Sequence, residues 1–209
     1  GLATAESLKA AKQAAGADLL ALPIPFGADY GELREESLGD VADRVLATCT
    51  PLLAVRQPFD EAAVQAIMRN VVLPLSPDNP RNEVALAWAA RLLGHHGTLS
   101  VVEIADAELR AEARELVDRP SRTVPDSVVD RVLTRHFASY IAALQRKARE
   151  RKFQTRVASA AGRFVESTLA QLDGSPGLTI VAGSTDRRSD AYHHEADLIL
   201  ASQYPVLIV

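Results

Sequence analysis

The sequence predicts an α/β fold in which a parallel sheet carries helices on both faces and is built from tandem copies of one unit. Three observations predict it. With Pro51 set on Pro205, residues 38–55 fall on residues 192–209, and Ala42/Ala196, Asp43/Asp197, Leu46/Leu200, Ala47/Ala201, Pro51/Pro205 and Leu53/Leu207 are identical, which makes an internal repeat. Each copy runs from an amphipathic helix through a turn closed by proline to a final aliphatic run. Those runs, Leu52–Val55 and Val206–Val209, have no polar alternate face, as expected of strands covered on both sides of a parallel sheet.

The elements follow in chain order. Residues 1–15 read as a helix with Leu2, Ala5, Leu8 and either Ala11 or Lys12 on its inner side. Ala17–Pro23 is a strand, and in the helix that follows, Leu38, Val41, Ala42, Val45, Leu46 and Cys49 share one face before Pro51 stops it. Ala17–Pro23 matches Gly177–Gly183 at an offset of 160, against 154 for the later segment, so the first copy carries a strand–helix loop longer by six residues. In an open α/β sheet that loop, after the carboxyl end of a strand, is where ligands bind.

Residues 58–68 are a linker with a helical turn. Asn70–Ser76 is a strand, Asn82–Leu93 a helix and Thr98–Ile104 a strand. Ala105–Pro125 mixes charge, proline and arginine and reads as a partly helical excursion. Asp126 or Ser127 then caps one long helix whose apolar stripe is Val128, Val132, Phe137, Ile141 and Leu144, and whose basic end, Arg146–Lys152, reads as a solvated helix end favoured by the helix dipole, with a docking patch as the alternative.

Composition excludes several classes. The chain has 209 residues, 47% hydrophobic and 24% charged, as in folded domains. A net charge of −4 gives no basic field for nucleic acid or an anionic membrane. The lone Cys49 has no partner for an internal disulfide, which fits a reducing cytoplasm. No apolar run reaches the ~18 residues of a membrane span, and direct membrane insertion of this portion is not expected.

Gly16–Leu22, followed by Leu38–Leu46 and Pro51–Val55, resembles the C-terminal half of a universal stress protein domain, and so does 177–209. Residues 70–104 resemble the N-terminal half. The resemblance divides the chain into the second half of a first domain (1–57), a linker (58–68) and a complete second domain (69–209). It implies a flavodoxin- or Rossmann-like fold of the HUP type in tandem copies. It further implies a pseudo-twofold association through the last strands, Leu52–Arg56 and Val206–Val209, within one chain or across a homodimer. A half domain exposes the sheet edge where its other strands belong, so this reading expects residues ahead of Gly1.

Nucleotide-binding members of that family carry Gly-x2-Gly-x9-Gly-(Ser/Thr) after the fourth strand, where glycines let backbone amides close around phosphates. In the second copy Gly183 matches the first glycine, but Asp186 stands at the second, His193-His194 occupy the end, and the loop is three residues short. In the first copy Pro23 and Phe26 replace the first two glycines, and Gly39-Asp40 ends a loop three residues too long. The adenine-contacting Asp falls on Ser76, with Asp78 two residues on. Side chains at glycine positions and added negative charge oppose phosphate, so no cofactor is expected. ATP is the alternative, with Ser76, Gly183 and Ser184 as its contacts.

No catalytic residue is predicted. Gly183-Ser-Thr is not a nucleophile elbow, Ser76–Asn82 has no glycine for the phosphate loop of a HUP-type enzyme, and Asp78 as a phosphoacceptor leaves the repeat unexplained. Asp190, His193 and Asp197 share a helix face at ligand spacing, but imidazoles near a helix start are more often solvated, and no metal is expected; His95-His96 reads as a helix end. The function expected is a non-catalytic, cytoplasmic regulatory or interaction protein of the stress response with an unidentified protein partner. The alternatives are the regulatory tail of a larger, transporter-type protein and an atypical nucleotide binder.

Overall fold

The computed structural model of the chain describes residues 4–24, 38, 40–48, 51–56, 58–75, 79–93, 96–105, 111, 114, 115, 125–172, 174–184 and 190–209. Seven strands form one sheet: β1 (Leu20–Pro23), β2 (Leu52–Val55), β3 (Asn70–Leu75), β4 (Thr98–Ala105), β5 (Gln154–Ala161), β6 (Leu178–Val181) and β7 (Val206–Ile208). Their order is β1-β2-β7-β6-β3-β4-β5. Every neighbouring pair is parallel except β2–β7, which is antiparallel. Eight helices are described: α1 (Ala5–Ala14), α2 (Asp40–Thr48), α3 (Glu61–Ile67), α4 (Asn82–Leu92), α5 (Asp126–His136), α6 (Ala138–Arg151), α7 (Phe164–Leu169) and α8 (Asp190–Ala201). The α/β class is as the sequence predicts.

Local chemistry accounts for the helix starts. Thr4 and Ser7 form a capping box on α1, with Thr4 Oγ1 accepting from the Ser7 N–H at 3.2 Å and Ser7 Oγ from the Thr4 N–H at 2.9 Å. Of the two candidates for its inner face, Lys12 is half-buried and donates to the Pro51 carbonyl at 3.4 Å, whereas Ala11 is exposed. Asp60 caps α3 by accepting from the Ala63 N–H at 2.7 Å, so the linker holds a full helix and not a single turn.

Three sequence readings change. The single long helix is two, broken at Phe137, whose φ of −92° and ψ of 0° end α5 and begin α6. A straight helix over 126–151 would run about 39 Å, past the ~27 Å of the eight-residue strands beside it. The break lets Phe137 and Leu144 both enter the core, and Val129, not Val128, is the buried valine near the start. Strand β5 and helix α7 were not foreseen. Gln154–Ala161 mixes polar and small residues without alternation, yet all eight pair with β4, and Ser159 Oγ donates to the buried Glu103 at 2.9 Å.

The third change is one of register. Leu20 pairs with Leu52 as Thr179 pairs with Val206, and Ile24 donates to the Val55 carbonyl as Gly183 does to Val209. The first strands of the two copies therefore correspond at an offset of 159, not 160, and the first copy's loop is longer by five residues, not six. Ile24, not Pro23, stands at the place of Gly183. A one-residue slip exchanges the two faces of a strand, so the shift decides which side chains point where.

The core has two layers. One lies between the sheet and α1, α2, α7 and α8, around Leu46, Leu52, Val72, Leu198 and Ile208. The other lies under α3, α4 and α6, around Leu73, Leu86, Leu144, Ile180 and Leu207. Against expectation β2 is not covered on both sides: Leu52 and Ala54 are buried, but Leu53 and Val55 are only half-buried. Cys49, on the predicted inner face of α2, lies outside the described residues.

Leu53 and its repeat counterpart Leu207 are paired across β2–β7, yet only Leu207 is fully enclosed. Leu207→Ala is expected to cost about 2–5 kcal/mol in urea unfolding and Leu53→Ala less than half as much. Equal losses would mean that both faces of β2 are covered in solution.

Candidate functional crevice

Strand order reverses between β3 and β6: from β3 the chain winds outward through β4 to β5, while β6 continues to β7 on the other side. A crevice outside the carboxyl ends of strands at such a switch point is the default ligand position of this architecture. Here it is bounded by the start of α4, the residues following β6 and the inner face of α8.

Hydrogen bonds among the described residues cross it. Asn79 Nδ2 donates to the Ala182 carbonyl at 3.0 Å, and its Oδ1 accepts from the Arg81 N–H at 2.9 Å. The Arg81 guanidinium donates to the Gly183 carbonyl at 3.4 Å, so the start of α4 is tied to the end of β6. Gly183 in turn donates to the Val209 carbonyl at 2.6 Å. A Cβ on Gly183 would stand 2.6 Å from Ile208 Cγ2 and 3.1 Å from that carbonyl, so this glycine serves close strand packing.

The decisive group is Glu195. It lies on α8 at 1% exposure, with Oε1 accepting from the Ser184 N–H at 2.6 Å and Oε2 buried without a hydrogen-bond partner among the described residues. Burial pushes its carboxyl up from the ordinary 4.5 to about 7, against the opposing pull of the Ser184 N–H and the Arg81 charge. The backbone N–H that follows Gly183 is thus bonded to a side chain of the same chain.

Of the residues predicted for this site, Gly183 is buried and Ser184 half-buried in the crevice. Ser76, Asp78, Asp186, Phe26 and Gly39 lie outside the described residues. His194 points away from the crevice: its exposed ring stacks on Phe164 of α7, with centroids 5.1 Å apart. His193 and Asp197 are exposed, and no group of three His, Cys, Asp or Glu gathers among the described residues. No described helix is long and apolar enough to cross a membrane.

Sequence reasoning missed Asn79, Arg81 and Glu195. A signal for Glu195 existed. It falls at the helical spacing of Leu198, Ile199 and Ser202, all buried, and a carboxylate on an inner stripe demands a partner.

No protein-family model matches the chain, and no curated protein does. Solved structures do. A universal stress protein from Archaeoglobus fulgidus superposes on 97% of this chain with a TM-score of 0.57 and 15% identity. A putative universal stress protein from Pseudomonas aeruginosa superposes on 99% with a TM-score of 0.60 and 11% identity. The chain spans 63% and 68% of the lengths of those two proteins. It has the fold of universal stress proteins.

Two outcomes test the crevice. Between about pH 4.5 and 7 the folded chain holds a proton on Glu195 that the unfolded chain has released. This residue's contribution to stability therefore falls as pH rises through that window and is level above it. Glu195→Gln removes the slope, and in urea unfolding the variant is expected to gain on the order of 3 kcal/mol on the parent between pH 4 and pH 8. Parallel profiles would place Glu195 in water. Gly183→Ala is expected to lower stability by about 1–3 kcal/mol in the same assay, since Ile208 must move.

Proposed function

We propose that this protein is a universal stress protein-like regulatory or interaction protein that does not bind ATP and catalyses no reaction. The observation that carries this reading is the Glu195 carboxylate on the Ser184 N–H. That backbone donor is already bonded to the chain's own carboxyl, and above about pH 7, where the group is ionised, a phosphate entering beside it would meet like charge in a poorly solvated place. The close packing of Gly183 against Ile208, and Asn79 and Arg81 bound to the carbonyls of Ala182 and Gly183, support the same reading.

With no chemistry to perform, the chain acts through its surfaces. The antiparallel β2–β7 pair supports an arrangement of two stress-protein units facing each other about a local twofold axis, the first of them represented by its second half. The partner is a protein, and the compartment the cytoplasm.

Isothermal titration with ATP and Mg²⁺ at pH 8, where Glu195 is ionised, tests the reading. No heat is expected at millimolar nucleotide from a sample whose circular dichroism shows it folded. Micromolar binding would overturn the proposal and make Gly183, Ser184 and Ser76 the residues to change first.

A further inference from the structure

Helix α6 and strand β5 meet at the outer end of the sheet. Lys152, at φ 59°, ends α6 and turns the chain toward β5, so that only Lys152 and the buried Phe153 separate the two. Between them lies a cavity of about 350 Å³, lined by Gln145, Ala148 and Arg149 of α6 together with Phe153 and Thr155. Neither β4 nor α4 contributes to its lining, so the cavity opens past β5 and not toward the middle of the sheet. Ala148 and Phe153 make an apolar floor, and Val157, on the same face of β5 as Thr155, is 43% exposed.

β5 is the last strand of its sheet, and no described strand pairs with its outer side. Gln154 donates its N–H to the Gly97 carbonyl at 2.9 Å, toward β4. Backbone alternation then turns the N–H and carbonyl groups of Thr155, Val157 and Ser159 away from β4. These residues offer a row of donors and acceptors, and β5 carries neither proline nor lysine, the residues that ordinarily blunt such an edge. Its surroundings are basic. Arg146, Arg149, Arg151, Lys152 and Arg156 are exposed, with Glu150 the one acid on the same stretch. None of these cations forms an ion pair with another described residue. The helix dipole accounts for cations on the last turn of α6, but not for Arg156, which stands on the strand and flanks the edge from the opposite face.

We infer that this edge binds an extended acidic segment of a partner protein, which adds a strand to β5. The segment's backbone pairs with Thr155, Val157 and Ser159, which supplies affinity without regard to sequence. Its apolar side chains on one face enter the cavity under α6, against Ala148, Phe153 and Val157. Its acidic side chains meet Arg149 on that face and Arg156 on the other, and this complementarity selects the partner. A chain of net charge −4 that gathers cations on both faces of one open edge is built there for an anionic occupant. A second copy of β5 is disfavoured, because antiparallel pairing would bring Arg156 against its own counterpart. The inference rests on the reading that the chain acts by binding a protein, and gives that reading a surface and a partner chemistry.

The probe is a fluorescent peptide of about ten residues that alternates valine with glutamate, titrated into the whole chain and followed by anisotropy. A peptide alternating valine with lysine is the control. Val157→Pro removes one outward N–H while leaving the bonds to β4 in place, and Arg149→Glu combined with Arg156→Glu reverses the charge on both faces. Urea unfolding establishes that each variant folds. Should the proline variant not fold, the charge-reversed pair and hydrogen exchange at the Thr155 and Val157 amides carry the test.

The valine–glutamate peptide is expected to bind, to weaken about tenfold or more against either variant, and to weaken in high salt. In the complex the Thr155 and Val157 amides are expected to exchange about tenfold more slowly. No binding at millimolar peptide, equal binding of the valine–lysine peptide, or binding that leaves those amides fast overturns the proposal. So does protection already present in the free monomer, which would mean that the chain covers this edge itself, or protection that appears only where the free chain sediments as a dimer. Displacement of the peptide by a lower concentration of oligothymidylate would overturn it as well, since the basic patch would then be a nucleic-acid surface. Any of these results, together with no heat from ATP, removes this surface and leaves the broader reading in place.

Discussion

The antiparallel pairing of β2 with β7 is the contact on which the continuity of the sheet depends. Every other strand pair lies wholly within the first 55 residues or wholly beyond residue 69, so without it the chain would hold a two-stranded fragment and a five-stranded sheet. Two strands alone are marginal in water. Joined edge to edge through Leu52–Ile208, Leu53–Leu207 and Ala54–Val206, they extend one core layer across both copies, with Leu46 and Leu52 in the same cluster as Leu198 and Ile208. Polar contacts across the junction, Arg56 to the Leu200 carbonyl and the exposed Arg91–Asp18 pair, are surface interactions of small weight beside that burial.

The same junction sets the character of the crevice. β7 must lie close to β6 for its far side to meet β2, and Gly183 is what lets the chain leave β6 against Ile208 and Val209. That path presents the Ser184 N–H to the inner face of α8, where Glu195 meets it. A carboxyl held at 1% exposure, with one oxygen lacking a hydrogen-bond partner among the described residues, is costly to ionise, and burial raises its pKa accordingly. The N–H that follows the end of β6 is thus held by an acid whose pKa burial raises to about 7.

The two copies also differ in how completely they are built. The second has both faces of its last strands covered and its first strand flanked on both sides, whereas the first is enclosed on one face by α1 and α2 and open on the other. Among the described residues nothing pairs with the outer edge of β1 or covers that face, where folded proteins ordinarily place a cover or a blunting residue. Pro23 blunts the end of that edge, but Ala21 and the half-buried Leu53 and Val55 remain.

By itself the sequence determined the fold class and most of the element positions. The helix of residues 40–48, the strands at 52–55, 70–75 and 98–105 and the helix of residues 82–92 stand where periodicity puts them, because a 3.6-residue stripe or an all-apolar run is a local signal. It missed β5, whose small and polar residues become a strand only because β4 offers eight unpaired residues to bind. It misplaced the match of β1 to β6 by one residue, because nothing local fixes a register that hydrogen bonds to β2 and β7 impose. It named Gly183 and Ser184 but not Glu195, Asn79 or Arg81, since the meeting of the Ser184 N–H with a side chain eleven residues on depends on where α8 is pressed against the sheet. Tertiary packing alone decided that Glu195 meets the Ser184 N–H and that Leu53, unlike Leu207, is only half-buried.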